Sequence, residues 1–357
     1  MQTAKARSVP VAAIGVGAAV ALAGVVGGLW LVLHAPSPPA QVANSIAAPA
    51  APPMVTAPAP AAPQVAAPVP TASGAVASAP PAAQATPAPT PPIQAAAPEF
   101  AVIQAPVDAI RRNTPTDMTV FRLAENPNVI VLDFASLEQQ GRMLDRVAAL
   151  TEKRSQPRDR IVTSEELNKA LRSEASPSGW FYYGHDYSAA QLNRFFDLAA
   201  RERMPLTPEE ATLARLLTQL GWRNATSSGA LISIPRLGAD SNVTPEARNT
   251  ILTHELSHGE YFSNPAYADY VHRFFLASLT APEREAFRTF LAREGYDRDN
   301  PEVVENETHA YLLFTADSKF FTPKDVGMTP ARRADLRALF LRDMPAGWLK
   351  DLLARLP

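Results

Sequence analysis

Thr253–Phe262 reads THELSHGEYF, and His254-Glu255-Leu256-Ser257-His258 within it follows the pattern H-E-x-x-H. Thr244-Pro245-Glu246 opens the segment as a helix, with proline at the first helical position, and the helix is predicted to run to about Phe262. Residues four apart on a helix share a face, so the imidazoles of His254 and His258 can reach one metal ion. Glu255 lies about 100° round from His254, beside such an ion rather than on it, where a carboxylate can take a proton from water. Ala247, Ile251, His254, His258 and Phe262 fall on one stripe, which predicts that the pair faces the interior. The competing reading is two neutral core histidines with ordinary hydrogen bonds.

A catalytic zinc needs a third protein ligand and one position left for water. Further along the chain, Asn306-Glu307-Thr308-His309-Ala310 reads NETHA, on a helix whose expected cap is Asn300 before Pro301. Val303, Val304, Glu307, Ala310, Tyr311 and Phe314 share one apolar face of that helix, while Glu305 and His309 lie on the other side. A carboxylate within an apolar face is costly unless paired or metal-bound, which selects Glu307 as the third ligand and leaves Glu305 and His309 as rivals. Glu302 and Glu305 read as surface acids.

With HExxH and the later NExxA, the chain resembles the gluzincin metallopeptidases, in which one helix supplies two histidines and a later helix a glutamate. The resemblance implies one zinc ion per chain and a zincin-like domain. It also implies a peptide or protein substrate, cleaved by water with Glu255 as general base. The oxyanion would need a further donor; Tyr311, His309, Tyr261 and His185 are the candidates, with Tyr311 placed first. His185 belongs to YYGHDY (Tyr182–Tyr187), an aromatic stretch suited to lining a cleft, and the backbone of Leu231–Ile234 is expected to hold substrate as an edge strand. Tyr261 and Asn264 stand where the extended metzincin motif needs glycine and histidine, so that subclass is excluded. Two further departures confine the resemblance to the broad clan. Glu260 stands where many zinc peptidases have an apolar residue, and Tyr311 where the thermolysin-like branch has aspartate.

Outside these motifs, composition divides the chain near Glu99. No Asp, Glu, Lys or Arg occurs between Arg7 and Glu99. Val11–Leu33 is an unbroken apolar run that, as a helix, would measure about 35 Å and exceed a bilayer core of about 30 Å. Residues 1–34 are therefore expected to form a transmembrane anchor, the alternative being a cleaved signal. Lys5 and Arg7 place the N-terminus in the cytoplasm and the remainder outside it, in the periplasm for a Gram-negative source. Residues 35–98 hold more than half of the 35 prolines, interleaved mainly with alanine, and read as a disordered tether. The rest is mildly acidic, which gives no reason to expect a nucleic-acid partner. The chain has no cysteine, which excludes disulfides, thiolate metal sites and a cysteine nucleophile.

From Glu99 onward the sequence predicts an α+β fold, mainly helical. Thr119–Leu123, Val129–Phe134 and Gly229–Pro235 read as strands. Helices are expected from Ser136 to Lys153 and after Thr163, Thr207, Thr244, Pro265, Pro282, Pro301, Thr329 and Ala346. Residues 99–228 are read as a possible subdomain and 229–357 as the zincin-like catalytic region. The functional expectation is a membrane-anchored zinc peptidase; the alternative is a tethered binding or scaffolding protein with a structural metal.

Overall fold

VIVLDF and ALISIP are apolar on both faces, as strands must be when helices cover a sheet from both sides. In the computed structural model, which describes residues 99–173, 182–224 and 226–356, they are the two central strands. The order along the chain is β1 (Val102–Ala105), α1 (Val107–Arg112), β2 (Thr119–Leu123), β3 (Val129–Phe134), α2 (Leu137–Thr151), α3 (Ser164–Ser173), β4 (His185–Ser188), α4 (Ala189–Glu202), α5 (Pro208–Gln219), β5 (Ala230–Pro235), α6 (Pro245–Ser263), α7 (Pro265–Ser278), α8 (Ala281–Arg293), α9 (Pro301–His309), α10 (Pro330–Asp343) and α11 (Trp348–Ala354). A π-helical turn, Ala310–Phe314, continues α9, and a 3-10 turn covers Pro323–Val326. The fold is α+β and mainly helical. The expected anchor and linker lie outside the described residues, among which no helix is long and apolar enough to cross a membrane.

The sheet has the order β1-β2-β3-β5-β4. β3 and β5 run parallel, whereas β4 lies antiparallel to β5 at the end of the sheet, with Asp186 opposite Ile232. β5 thus sits between strands that precede it, and one sheet runs across the boundary expected at Gly229. The expected edge role of Leu231–Ile234 is corrected here: β3 and β4 occupy both sides of β5, and the terminal strand is β4.

Side chains alternate across the sheet and divide the core in two. Val129, Val131, Ala230, Ile232 and Ile234 face α6 and the C-terminal helices. Ile130, Leu132, Phe134, Tyr187 and Leu231 face α2, α4 and α5. Asp133 is on the α6 face and fully buried, and Arg248 of α6 answers it with two hydrogen bonds of 3.0 and 2.9 Å. The same guanidinium donates to the carbonyls of Pro235, Ile110 and Asn113, so one side chain joins α6 to β3, β5 and α1. Near the other end of α6, Gly259 permits close approach to the sheet. A Cβ there would stand 2.9 Å from Val129 Cγ1.

Local sequence signals account for most helix starts. Ser136, Thr207, Thr244 and Thr329 each accept a backbone N–H three residues on, and Thr163 and Glu166 cap each other reciprocally. α2 ends at Thr151, two residues before the expected end, and leaves Glu152 and Lys153 buried beyond it.

The Arg248–Asp133 pair yields a stability test. Removing one partner of a buried pair leaves an uncompensated charge, so Asp133→Ala should lower the unfolding free energy by about 3–5 kcal/mol in urea titration. Asp133→Leu combined with Arg248→Met should cost less than the single variant. Equal loss in both would show that the pair does not hold α6 to the sheet.

Candidate metal centre

From Ala247 to Glu260, α6 is buried on every side except at Asn249, rather than along the single stripe expected. Its polar groups therefore need partners within the protein. Ser257 donates to the carbonyl of His254 at 2.7 Å, and Thr253 donates to that of Phe314 at 3.1 Å. Glu260 accepts from Asn126 at 2.7 Å, Asn264 at 2.8 Å and the Trp348 indole at 3.0 Å. That triple acceptance explains a carboxylate where an apolar residue was expected: Glu260 ties the β2–β3 turn and α11 to the end of α6.

His254 is held from behind by a hydrogen bond, and His258 has a carboxylate facing it. His254 Nδ1 lies 2.8 Å from Thr315 Oγ1, whose own hydrogen goes to the Ala310 carbonyl at 3.1 Å. The hydroxyl must then accept, which puts the imidazole proton on Nδ1 and leaves Nε2 with its lone pair. The wide turn Ala310–Phe314 brings Thr315 to this point, a local device frequent at functional sites. His258 Nδ1 faces Asp186 Oδ2 at 3.6 Å, and Asn306 Nδ2 holds the same oxygen at 3.1 Å. Burial lowers His254 to about 3 and His258 to about 4, so both rings are neutral at neutral pH.

Both Nε2 atoms point to one carboxylate. His254 Nε2 is 3.5 Å from Glu307 Oε2, and His258 Nε2 is 3.7 Å from Glu307 Oε1. One ligand atom from each of the three residues lies within 4.8 Å of the others. His258 Nε2 and Glu307 Oε2 are buried with no hydrogen-bond partner. Two neutral imidazoles, one carboxylate and orphaned donor atoms facing inward suit a metal ion, and this donor set fits zinc.

Beside this centre lies a cleft of about 230 Å³. Its lining includes His254, Glu255, Tyr311 and Thr315, together with Tyr182, Tyr183 and Gly184 ahead of β4. Glu255 reaches it only because residue 184 is glycine: a Cβ there would stand 2.1 Å from Glu255 Oε1. Burial and the charges of Glu307 and Glu152 push the Glu255 carboxyl upward, towards holding a proton. Tyr311 packs edge-on to His254 at 4.9 Å between ring centroids. Tyr296 stacks on Tyr182 at 4.8 Å; burial pushes the Glu307 carboxyl upward, and His258, a hydrogen bond from Tyr296 and Lys153 act against that push.

Of the expected site residues, the fold brings together His254, Glu255, His258, Glu307 and Tyr311. Glu305 is turned away, bonded to His272 at 2.8 Å and near Tyr261 at 3.5 Å. It is also 8% exposed, which corrects its reading as a surface acid: α9 is buried on both of its supposed faces. His309 is buried between His258 and Tyr261, its ring stacked on Tyr261 at 5.7 Å. His185 lies on the opposite sheet face from Asp186, bound to the Tyr187 hydroxyl at 3.0 Å, and does not line the cleft. Sequence reasoning missed Asp186, Thr315, Gly184 and Tyr296. The spacing of Ser188 and Gln191, a capping box at the start of α4, was the available signal that a strand carrying Asp186 ends there.

Comparison with protein-family models, curated proteins and solved structures gives no match.

The distances separate the rival third ligands. Glu307→Ala should lose most bound metal in elemental analysis of the purified chain, whereas Glu305→Ala and His309→Ala should keep it. Loss of metal in Glu305→Ala with Glu307→Ala unaffected would mean that α9 faces the other way in solution.

Proposed function

We propose that the chain is a zinc-dependent hydrolase, a peptidase of gluzincin type, anchored by its N-terminal segment and working outside the cytoplasm. The observation that carries this reading is the convergence of His254 Nε2 and His258 Nε2 on the Glu307 carboxylate, at 3.5 and 3.7 Å, beside a cleft that Glu255 lines. Zinc bound there supplies a Lewis acid that polarises a carbonyl and lowers the pKa of water to about 7.

The protein's own groups supply the rest. Thr315 keeps the proton of the His254 imidazole on Nδ1, so that its Nε2 stays free to bind, and Asp186 faces Nδ1 of His258. Glu255 has no ligand role in this scheme; its carboxylate accepts the proton of the attacking water and returns it to the leaving amine. Burial, Glu307 and Glu152 push the Glu255 carboxyl upward, and a cation bound beside it would oppose that push and favour the ionised form that acts as a base. Tyr311, with its ring against His254, is the candidate donor to the developing oxyanion.

An extended peptide suits the substrate role. β4 is the terminal strand of the sheet, and Tyr182, Tyr183 and Gly184 lead into it along the cleft wall. A substrate backbone can add to that edge while the tyrosines receive its side chains.

The test is Glu255→Gln. The amide nearly keeps the shape of the carboxylate but takes no proton at neutral pH. The variant should retain one zinc per chain and cleave a quenched-fluorescent peptide mixture about a hundredfold more slowly or worse. Chelation should abolish wild-type cleavage, and added zinc should restore it. Cleavage by Glu255→Gln at the wild-type rate would refute the mechanism. One bound zinc, no cleavage of any peptide, and melting on chelation would favour the scaffolding alternative.

A further inference from the structure

Glu294 is the C-cap of α8, a poor place for a carboxylate, because the carbonyl end of a helix carries the negative pole of its dipole. The backbone that follows is firmly placed. Gly295 turns the chain at φ +92°, and its carbonyl accepts from the Arg154 amide at 3.0 Å. Tyr296 forms a bridge to Lys153 beyond the end of α2, and the Asp297 amide donates to the Glu152 carbonyl at 2.7 Å. This turn sets Glu294 and Tyr296 in the wall of the cleft.

Of the residues that line the cleft, Glu294 alone is exposed, whereas His254, Glu255, Tyr296 and Thr315 are buried. It therefore stands at the mouth, with the metal centre at the inner end. Ile251, Tyr311 and Phe320 belong to the wall as well, and no lysine or arginine lines it. Among the described residues, the Glu294 side chain makes no hydrogen bond or ion pair. The cations that act on it lie against other groups. The Arg293 guanidinium donates to the Asp325 carbonyl at 2.8 Å, and Lys153 Nζ lies 3.3 Å from the centroid of the Tyr182 ring. Asp325, the other charge near Glu294, accepts from the Thr322 amide at 2.6 Å. Partial enclosure by the cleft wall pushes the Glu294 carboxyl upward, against Arg293. A carboxylate held without a partner at the mouth of an aromatic slot is a place for a cation.

We infer that Glu294 selects peptides with a lysine or arginine side chain beside the scissile bond, the aliphatic stem lying along Ile251, Tyr311 and Phe320 and the charged head on the carboxylate. The inference rests on the peptidase reading and adds to it the chemistry of the substrate. Lysine and arginine combine a long apolar stem with a terminal charge, which suits a slot that is aromatic along its wall and acidic at its mouth. A free α-amine lacks the stem, and a peptide added to the β4 edge runs through the site rather than ending in it. An acidic side chain would meet two carboxylates, Glu255 and Glu294, and no cationic residue in the lining.

Alanine-based peptides, acetylated and amidated at their ends, with one central lysine or one central norleucine, test this on the zinc-loaded full chain. Norleucine keeps the stem and lacks the charge. The lysine peptide should be cleaved next to lysine with a kcat/KM about five- to tenfold higher, and Glu294→Gln should bring that ratio close to one. The ratio should also shrink as salt is raised, because the pair forms at the mouth. Equal cleavage of the two peptides by the wild type, or a lysine preference that persists in Glu294→Gln, overturns the inference and leaves the peptidase reading standing. So does an all-alanine peptide with a free N-terminus cleaved as fast as the lysine peptide and faster than its acetylated form, which would assign Glu294 to an α-amine. If no peptide is cleaved, the peptidase reading fails and binding decides, with fluorescein-labelled forms of the same peptides titrated by anisotropy. Tighter binding of the lysine peptide, lost in Glu294→Gln, then supports the cation site; equal binding of the two peptides, or none, overturns it.

Discussion

The burial of α6 on every side is the constraint from which the rest of the structure follows. A helix with one solvated face can leave its polar residues in water; α6 cannot. Arg248 therefore needs Asp133, Glu260 needs Asn126, Asn264 and Trp348, and His254 needs Thr315. Once these partners are assigned, the buried α6 atoms left without one include His258 Nε2 and Glu255 Oε2. They are the groups that metal-assisted hydrolysis requires, so the packing of the helix and its proposed chemistry rest on the same geometry.

The sheet carries this constraint through its alternation. Asp133 on β3 and Asp186 on β4 point to the same face, and they meet α6 near its two ends, at Arg248 and His258. Between them, the absence of a Cβ at Gly259 lets the helix lie close to Val129. Because β4 ends the sheet, the strand whose Asp186 faces His258 is also led into by Tyr183 and Gly184, which line the cleft. A change in strand pairing there would disturb metal binding and cleft shape together. The density of buried carboxylates has a cost that only cations or protons can offset, which makes the local fold sensitive to what it binds.

Much of this was legible in the sequence wherever a local rule operates. Thr207 with Glu210 and Thr163 with Glu166 announced helix starts through side chains that bond the nearby backbone. His254 and His258 share a face whatever surrounds them, and Glu307 stood out as a carboxylate among apolar neighbours. The missed elements lack such signals. β4 has four residues, too few for a period, and its aspartate reads like any loop acid. The π-helical turn after His309 depends on packing against α6 rather than on propensity. Glu305 was misjudged because a helical wheel assumes one wet face, and α9 is buried on both. Gly184 and Thr315 gain their meaning only from residues distant in sequence.

Zinc-edge X-ray absorption of the purified chain tests the central claim most directly, since it reads the metal's own neighbours. Two imidazole nitrogens at about 2.0–2.1 Å and carboxylate oxygen at about 2.0–2.2 Å are expected, with the imidazole signal lost in His258→Ala. A spectrum of oxygen neighbours alone, or one unchanged by that substitution, would contradict the assignment of His254, His258 and Glu307 as the metal centre.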